Sequence, residues 1–261
     1  MIEFPPGTPS WVDLSSPDPD ASIRFYGELF GWQAEEVAPD AYWMLRRDGK
    51  EVAGIVRQRE SGDTPAWVTY VATDDAGQTR KNVEAAGGRT IVEPFEVGPA
   101  GRVAMFADAA GGAVFGAFEH DQFRGAQVVN APGALTMNQL NTRDLEAATR
   151  FYYGVFGWDF EPIEQEGTVV YGAFKLDGRL IAGALPMGDE FPAEVPPNWV
   201  AYFGAEDLEA TAAKTRERGG AQLMGPTSVP EGRFVVLADP NGAVFCILDG
   251  NYDPPPGAGS P

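Results

Sequence analysis

Between Asp18 and Trp32 the apolar side chains recur at helical spacing, with Ile23, Tyr26 and Phe30 on one stripe. Asp18 and Pro19 supply an N-cap and a first-turn proline, and Gly31 can take the left-handed conformation that ends a helix, so the pattern predicts a helix running to Phe30. Before it, Pro9–Leu14 alternates as a strand. After it come three strand-like runs, Trp32–Val37, Tyr42–Arg47 and Glu51–Arg57, the last two joined by the two-residue hairpin signal Asp48-Gly49. This is one β-α-β-β-β unit. A polar loop over Glu60–Thr64 leads into a second: strand Trp67–Ala72, a helix opened by Asp74 and closed by Gly87-Gly88, then strands near Arg89–Val92, Arg102–Ala107 and Ala113–Phe118.

The chain then repeats itself. Arg24-Phe25-Tyr26-Gly27-Glu28-Leu29-Phe30-Gly31-Trp32 returns as Arg150-Phe151-Tyr152-Tyr153-Gly154-Val155-Phe156-Gly157-Trp158. Asp177-Gly178 matches Asp48-Gly49, Trp199-Val200 matches Trp67-Val68, Gly219-Gly220 matches Gly87-Gly88, and Gly242-Ala243-Val244-Phe245 matches Gly112-Ala113-Val114-Phe115. The offset stays between 126 and 132 residues, which indicates duplication with small changes in the loops. Four units in an α+β fold with mixed sheets follow, divided as residues 1–124, residues 125–252 and a disordered tail over 253–261.

Composition narrows the function. The 261 residues carry a formal charge of −19, split evenly at about −9 and about −10 between the halves, so acidity is spread over the surface. Such a field repels phosphate backbones and anionic membranes, which argues against nucleic-acid and membrane partners. No apolar run reaches a membrane span and the N-terminus lacks a basic-then-apolar signal, so a cytoplasmic location is expected. With Cys246 as the only cysteine, no intramolecular disulfide can form.

The Phe-Tyr…Phe-Gly-Trp helix end, the acidic pair opening the second helix, the Gly-Gly after it and Asp239-Pro240-Asn241-Gly242 before the last strand together resemble the vicinal oxygen chelate superfamily. That superfamily includes glyoxalase I, extradiol dioxygenases and bleomycin-resistance proteins. The likeness spans Pro9 to Leu248 and is greatest to duplicated actinobacterial proteins of the hydroxylase-labelled type. It implies two glyoxalase-like lobes whose sheets curve into cups. The units could pair first-with-second or first-with-fourth; both occur in the superfamily. Its metal enzymes hold a divalent ion on inward-facing strand positions, where it acts as a Lewis acid. Those positions fall near Trp11, Val68 and Gly116 in the first half and Met137, Val200 and Cys246 in the second, none of them a good ligand for a hard ion. No metal and no cofactor are therefore expected.

What remains is an aromatic, weakly polar cup. Strand alternation puts Trp11 and Asp13 on one face, and Val68 and Tyr70 on one face, so these line the first cup if the ligand positions point inward. Trp67 lies at its mouth. Met137, Gln139, Trp199 and Tyr202 are the counterparts in the second half. Asp13 is the candidate catalytic residue, since a carboxylate facing an apolar cup has a raised pKa and can act as a general acid or base. The plainer alternative is an aspartate paired with an arginine or a backbone N–H. His120, the only histidine, reads as a surface loop residue, and Cys246 as core packing. Arg102 and Arg233 are expected to brace hairpins by pairing with Asp108 or Asp239. Trp32 and Trp158 are expected to be structural.

Two functions fit these residues. One is a metal-independent tailoring protein of natural-product metabolism, hydroxylase-like, isomerase or cyclase, acting on a neutral or cationic aromatic or polyketide-like molecule. The other is a non-catalytic drug-sequestering protein of bleomycin-resistance type. A metal-dependent glyoxalase or dioxygenase is disfavoured by the missing ligands, and the chain is expected to be a monomer or a homodimer.

Overall fold

The computed structural model describes residues 2–58, 64–229 and 232–250. The loop expected over Glu60–Thr64 lies, apart from Thr64, outside the described residues, as does the tail expected from residue 253. The first unit is β1 (Pro9–Ser16), α1 (Pro19–Phe30), β2 (Gln33–Ala38), β3 (Tyr42–Arg47) and β4 (Lys50–Arg57). The second is β5 (Ala66–Thr73), α2 (Ala76–Ala85), β6 (Arg89–Glu96), β7 (Gly101–Ala107) and β8 (Val114–His120). The second half repeats them as β9 (Leu135–Thr142), α3 (Leu145–Phe156), β10 (Asp159–Gln165), β11 (Thr168–Leu176) and β12 (Arg179–Pro186), followed by β13 (Asn198–Gly204), α4 (Leu208–Glu217), β14 (Ala221–Val229), β15 (Gly232–Ala238) and β16 (Val244–Gly250).

Local chemistry sets these boundaries. The Asp18 carboxylate accepts the Ala21 N–H at 3.0 Å and opens α1, while Gly31 closes it at φ 74°. Asp144 and Gly157 do the same for α3. The second helix begins one residue later than expected: Asp75, not Asp74, is its N-cap, accepting from Gln78 N at 2.9 Å, because β5 continues through Thr73 and the Thr73 hydroxyl takes the Asp75 N–H. Asp48 and Gly49 both sit at positive φ, as do Asp177 and Gly178, giving the tight turn whose twist matches a hairpin.

Two eight-stranded mixed sheets result, ordered β2-β3-β4-β1-β5-β8-β7-β6 and β10-β11-β12-β9-β13-β16-β15-β14. In the first, β1 runs parallel to β4 and antiparallel to β5, so consecutive units share a sheet and a cup. The helix-side cores are shared the other way. Val12, Leu14, Phe25 and Tyr26 of the first unit pack with Phe203, Leu208 and Phe245 of the fourth, and Val83, Phe106 and Phe115 of the second pack with Phe151, Tyr152 and Trp158 of the third. Each sheet thus turns its helix face to the other and its cup outward.

Buried polar contacts fasten this seam. The Tyr26 hydroxyl donates to Asp239 Oδ2 at 3.2 Å and accepts from Trp67 Nε1 at 3.0 Å. Tyr152, Asp108 and Trp199 repeat the arrangement at 3.1 and 2.9 Å. The same aspartates accept backbone N–H groups of their own turns, Ala110, Gly112 and Ala113 for Asp108, Asn241 and Ala243 for Asp239. They are therefore not the partners of Arg102 and Arg233, which pair instead with Glu96 and Glu119, and with Glu209 and Asp249. Trp32 and Trp158 donate to the carbonyls of Gly133 and Gly7 and are structural.

Candidate functional site

Strand β1 is buried on both faces, because Val12 and Leu14 enter the seam while Trp11 and Asp13 enter the first cup. Register then assembles the rest: Asp13 lies opposite Gly54 on β4 and Val68 on β5, and Trp11 opposite Tyr70. Met44, Val103, Phe118 and the partly buried Tyr42, Met105 and Phe123 complete the apolar lining. Trp11 is completely buried and Asp13 is 7% exposed.

Asp13 Oδ1 accepts the Trp11 indole N–H at 2.8 Å and the Tyr42 hydroxyl at 2.7 Å, and the Tyr70 hydroxyl also bonds the carboxylate. Its partners are an indole and phenols, not the arginine or backbone amide of the plainer alternative. Burial pushes its pKa up to about 6 against these hydrogen bonds, of which Tyr42's is the largest. The phenols are held neutral, Tyr42 and Tyr70 both pushed well up by burial and by the neighbouring carboxylate. Gly54 makes the arrangement possible, since a Cβ there would overlap both the Tyr42 hydroxyl and Asp13 Oδ1.

The second cup has the same frame and other chemistry. Gln139 stands opposite Gly183 and Val200, with Met137 opposite Tyr202. A one-directional chain of hydrogen bonds runs from the Tyr202 hydroxyl to Gln139 Oε1 (3.1 Å), from Gln139 Nε2 to Asn141 Oδ1 (2.8 Å), from Asn141 Nδ2 to Asn198 Oδ1 (3.2 Å) and from Asn198 Nδ2 to the Pro196 carbonyl. Cys246 is buried beside Tyr202 with its thiol pushed up to about 12 by burial. It is neutral packing at any ordinary pH.

Trp67 and Trp199 do not belong to the cups. Each sits next to a cup-facing valine, so alternation turns it to the opposite face, where it donates to Tyr26 or Tyr152. His120 is not a surface loop residue: it ends β8, with Nε2 2.9 Å from Ser10 Oγ and its ring stacked on Phe118 at 4.3 Å. Reasoning from sequence missed Tyr42 and Phe123. For Tyr42 a signal existed, since Tyr42 and Gly54 recur as Tyr171 and Gly183, where the same glycine again makes room for the phenol.

The residues present do not fit a divalent metal. Where the resemblance assigns ligands, Trp11, Val68 and Gly116 occupy the first cup and Met137, Val200 and Cys246 the second. Among the described residues no three His, Cys, Asp or Glu side chains come together in a way that could hold one. No helix among them is long and apolar enough to cross a membrane.

A family model described as the Glyoxalase/Bleomycin resistance protein/Dioxygenase superfamily matches residues 8–114 and 134–247. CFP32 of Mycobacterium tuberculosis is 35% identical over 254 residues, covering 94% of this chain and 96% of its own. The anthracycline biosynthesis protein DnrV of Streptomyces peucetius is 35% identical over 276 residues, covering 99% of both chains. In fold, the crystal structure of the Mn(II)-bound glyoxalase from Novosphingobium aromaticivorans is similar at a TM-score of 0.66 and 17% identity, covering 94% of this chain and 82% of that one.

Proposed function

The chain belongs to the glyoxalase/bleomycin resistance protein/dioxygenase superfamily, and on that premise we propose that its first cup binds a planar aromatic compound of polyketide type, without a metal ion, and that Asp13 moves a proton on it in natural-product metabolism. One observation carries this reading: a nearly buried carboxyl group, its pKa near 6, fixed by Trp11 and Tyr42 within an aromatic lining. At pH 7 such a group is ionised in roughly ten molecules of eleven and still close enough to its pKa to take a proton and return it. Trp11, Tyr70 and Phe118 give rigid stacking surface, and the charge of −19 favours a neutral or cationic ligand over an anionic one. The name of DnrV, an anthracycline biosynthesis protein, supports a fused-ring ligand.

Sequestration without chemistry is the second reading, favoured by the two donors that already engage Asp13 Oδ1. Asp13→Asn separates them. The amide keeps the shape and accepts the same two donors, so a hydroxyanthraquinone should bind with nearly unchanged affinity in both cases. Turnover of an anthracyclinone-type substrate should be lost if Asp13 transfers the proton. Turnover that survives the substitution would remove Asp13 from the chemistry, and failure of either protein to bind any fused-ring compound would remove the ligand class.

A further inference from the structure

The first cup is closed by the chain itself. After β8 a short strap crosses over Trp11, and Phe123 at its centre meets the Trp11 ring edge-on, with centroids 4.8 Å apart and planes at 83°. Phe123 also stacks on Phe118 at 5.3 Å. The strap is tied down on either side. Asp121 and Gln122 donate backbone N–H groups to Ala100 and Pro99, and Ala126 and Gln127 donate theirs to Ser10 and Glu51, at 2.8–3.0 Å. Between these ties Phe123, Arg124 and Gly125 make no backbone–backbone hydrogen bond among the described residues. Gly125, at φ 87°, supplies the turn, and a Cβ there would come within 2.7 Å of the Ser10 carbonyl oxygen.

His120 clasps this span from the side. One ring nitrogen is 2.9 Å from Ser10 Oγ; the other is buried against the backbone of Phe123 without well-formed hydrogen-bond geometry. The ring rests on Phe118 and reaches Phe123 at 5.8 Å. On the outer side lies a crevice of about 230 Å³ lined by Phe4, Thr73, Asp74, Glu119, His120 and Arg124. Of the strap's residues Arg124 lines it, next to His120.

We propose that Phe123 is the gate of the first cup and that its ring holds the place against Trp11 and Phe118 which an aromatic ring of the ligand takes over, with His120 as the latch. The ligand part rests on the function proposed above; the gate does not. A ring that stacks on Phe118 and touches the face-lining indole replaces like with like, so opening loses little contact once a flat aromatic molecule has entered. A segment whose three residues make no backbone–backbone hydrogen bond among the described residues, between firm ties, is also the part of the cup wall that opens at least cost. Burial and the Arg124 charge hold the His120 pKa down near 4, so the latch is neutral at physiological pH and its grip is one of packing and shape.

Accessibility of Trp11 tests the gate without any ligand. All six tryptophans are buried, so acrylamide quenching of the whole chain should be weak. Phe123→Ala should open Trp11 alone, read as the difference in quenching from the same protein carrying Trp11→Phe. His120→Ala should give a smaller increase and serves if the first variant folds poorly, folding being checked by circular dichroism. In stopped-flow mixing with 1,8-dihydroxyanthraquinone, Phe123→Ala should bind about ten-fold more tightly or more, because a cup closed most of the time reduces apparent affinity by the open fraction. Trp11 equally shielded in both folded variants would overturn the gate. Trp11 exposed, with no dye bound by any form, keeps the gate and removes the ligand proposed for it.

Discussion

Asp13→Asn should make the protein more stable at neutral pH. A carboxyl group whose pKa rises from 3.8 to about 6 on folding binds its proton more tightly in the native state than in the unfolded chain. The stability this group contributes is fully present below about pH 4 and is lost as pH climbs through about 6. At 1.36 kcal/mol for each pH unit, ionised Asp13 costs about 3 kcal/mol of stability at pH 7, a large share of what a domain of this kind has to spare. The asparagine keeps an oxygen for the Trp11 and Tyr42 donors and has no charge to desolvate, while its amide N–H groups need a partner and return about 1 kcal/mol of the gain. Urea unfolding of both proteins from about pH 4 to pH 7 is the assay, and the quantity to follow is their difference in stability. Asp108 and Asp239, whose pKa values burial also raises, and His120, whose pKa burial lowers, are present in both proteins and cancel. The difference should grow by about 2–3 kcal/mol in favour of the variant as pH rises. Parallel profiles would show that Asp13 titrates normally, and growth in the wild type's favour would show that its partners overcompensate burial; either result removes the basis for a proton-transfer role.

Tyr26→Phe should cost about 1–3 kcal/mol in urea unfolding, since it leaves the Trp67 indole N–H without its acceptor and deprives Asp239 of a donor at the seam; Tyr152→Phe should cost as much through Trp199 and Asp108. Gly54→Ala should destabilise by about 1–3 kcal/mol through overpacking. It should also move the Asp13 carboxyl titration upward in ¹³C NMR, because the new methyl displaces the hydroxyl that contributes most to keeping Asp13 ionised.

The units were legible because each carries its own punctuation. Asp18 and Gly31 bracket a helix and Asp48-Gly49 makes a hairpin by rules that act within a few residues, and duplication printed each signal twice. The face assignment of Asp13, Trp11 and Tyr70 followed from the same alternation that excludes Trp67 and Trp199, whose odd spacing from Tyr70 and Tyr202 sends them to the seam. Which units share a sheet was not legible, because it depends on β1 choosing β5 as its neighbour, a contact between residues some sixty apart that leaves no local trace. The same holds for Asp239, whose backbone bonds mark a turn while its bond to Tyr26 spans 213 positions of sequence. Phe123 had no signal at all, since a lone aromatic in a connector looks alike whether it faces water or an indole.

What the two halves share and where they part company bears on the chemistry. The seam residues correspond in pairs: Tyr26 with Tyr152, Trp67 with Trp199, Asp239 with Asp108. So do the phenols and glycines that frame each cup, Tyr42 with Tyr171, Tyr70 with Tyr202, Gly54 with Gly183. The cup linings differ more: Trp11, Asp13 and Gly116 stand where the second half has Met137, Gln139 and Cys246, and Val103 and Phe118 where it has Phe234 and Leu248. With the tyrosines and glycines of the frame shared and the residues between them changed, the two cups present different chemical groups. The second lining cannot exchange a proton near neutral pH: its amides do not titrate, and burial keeps the Cys246 thiol and the Tyr202 phenol protonated. Its chain of amides can instead orient a neutral hydrogen-bonding group. Between the two cups, among the described residues, Asp13 is the carboxylate that burial makes costly to keep charged, which is why the proposed proton transfer is assigned to the first.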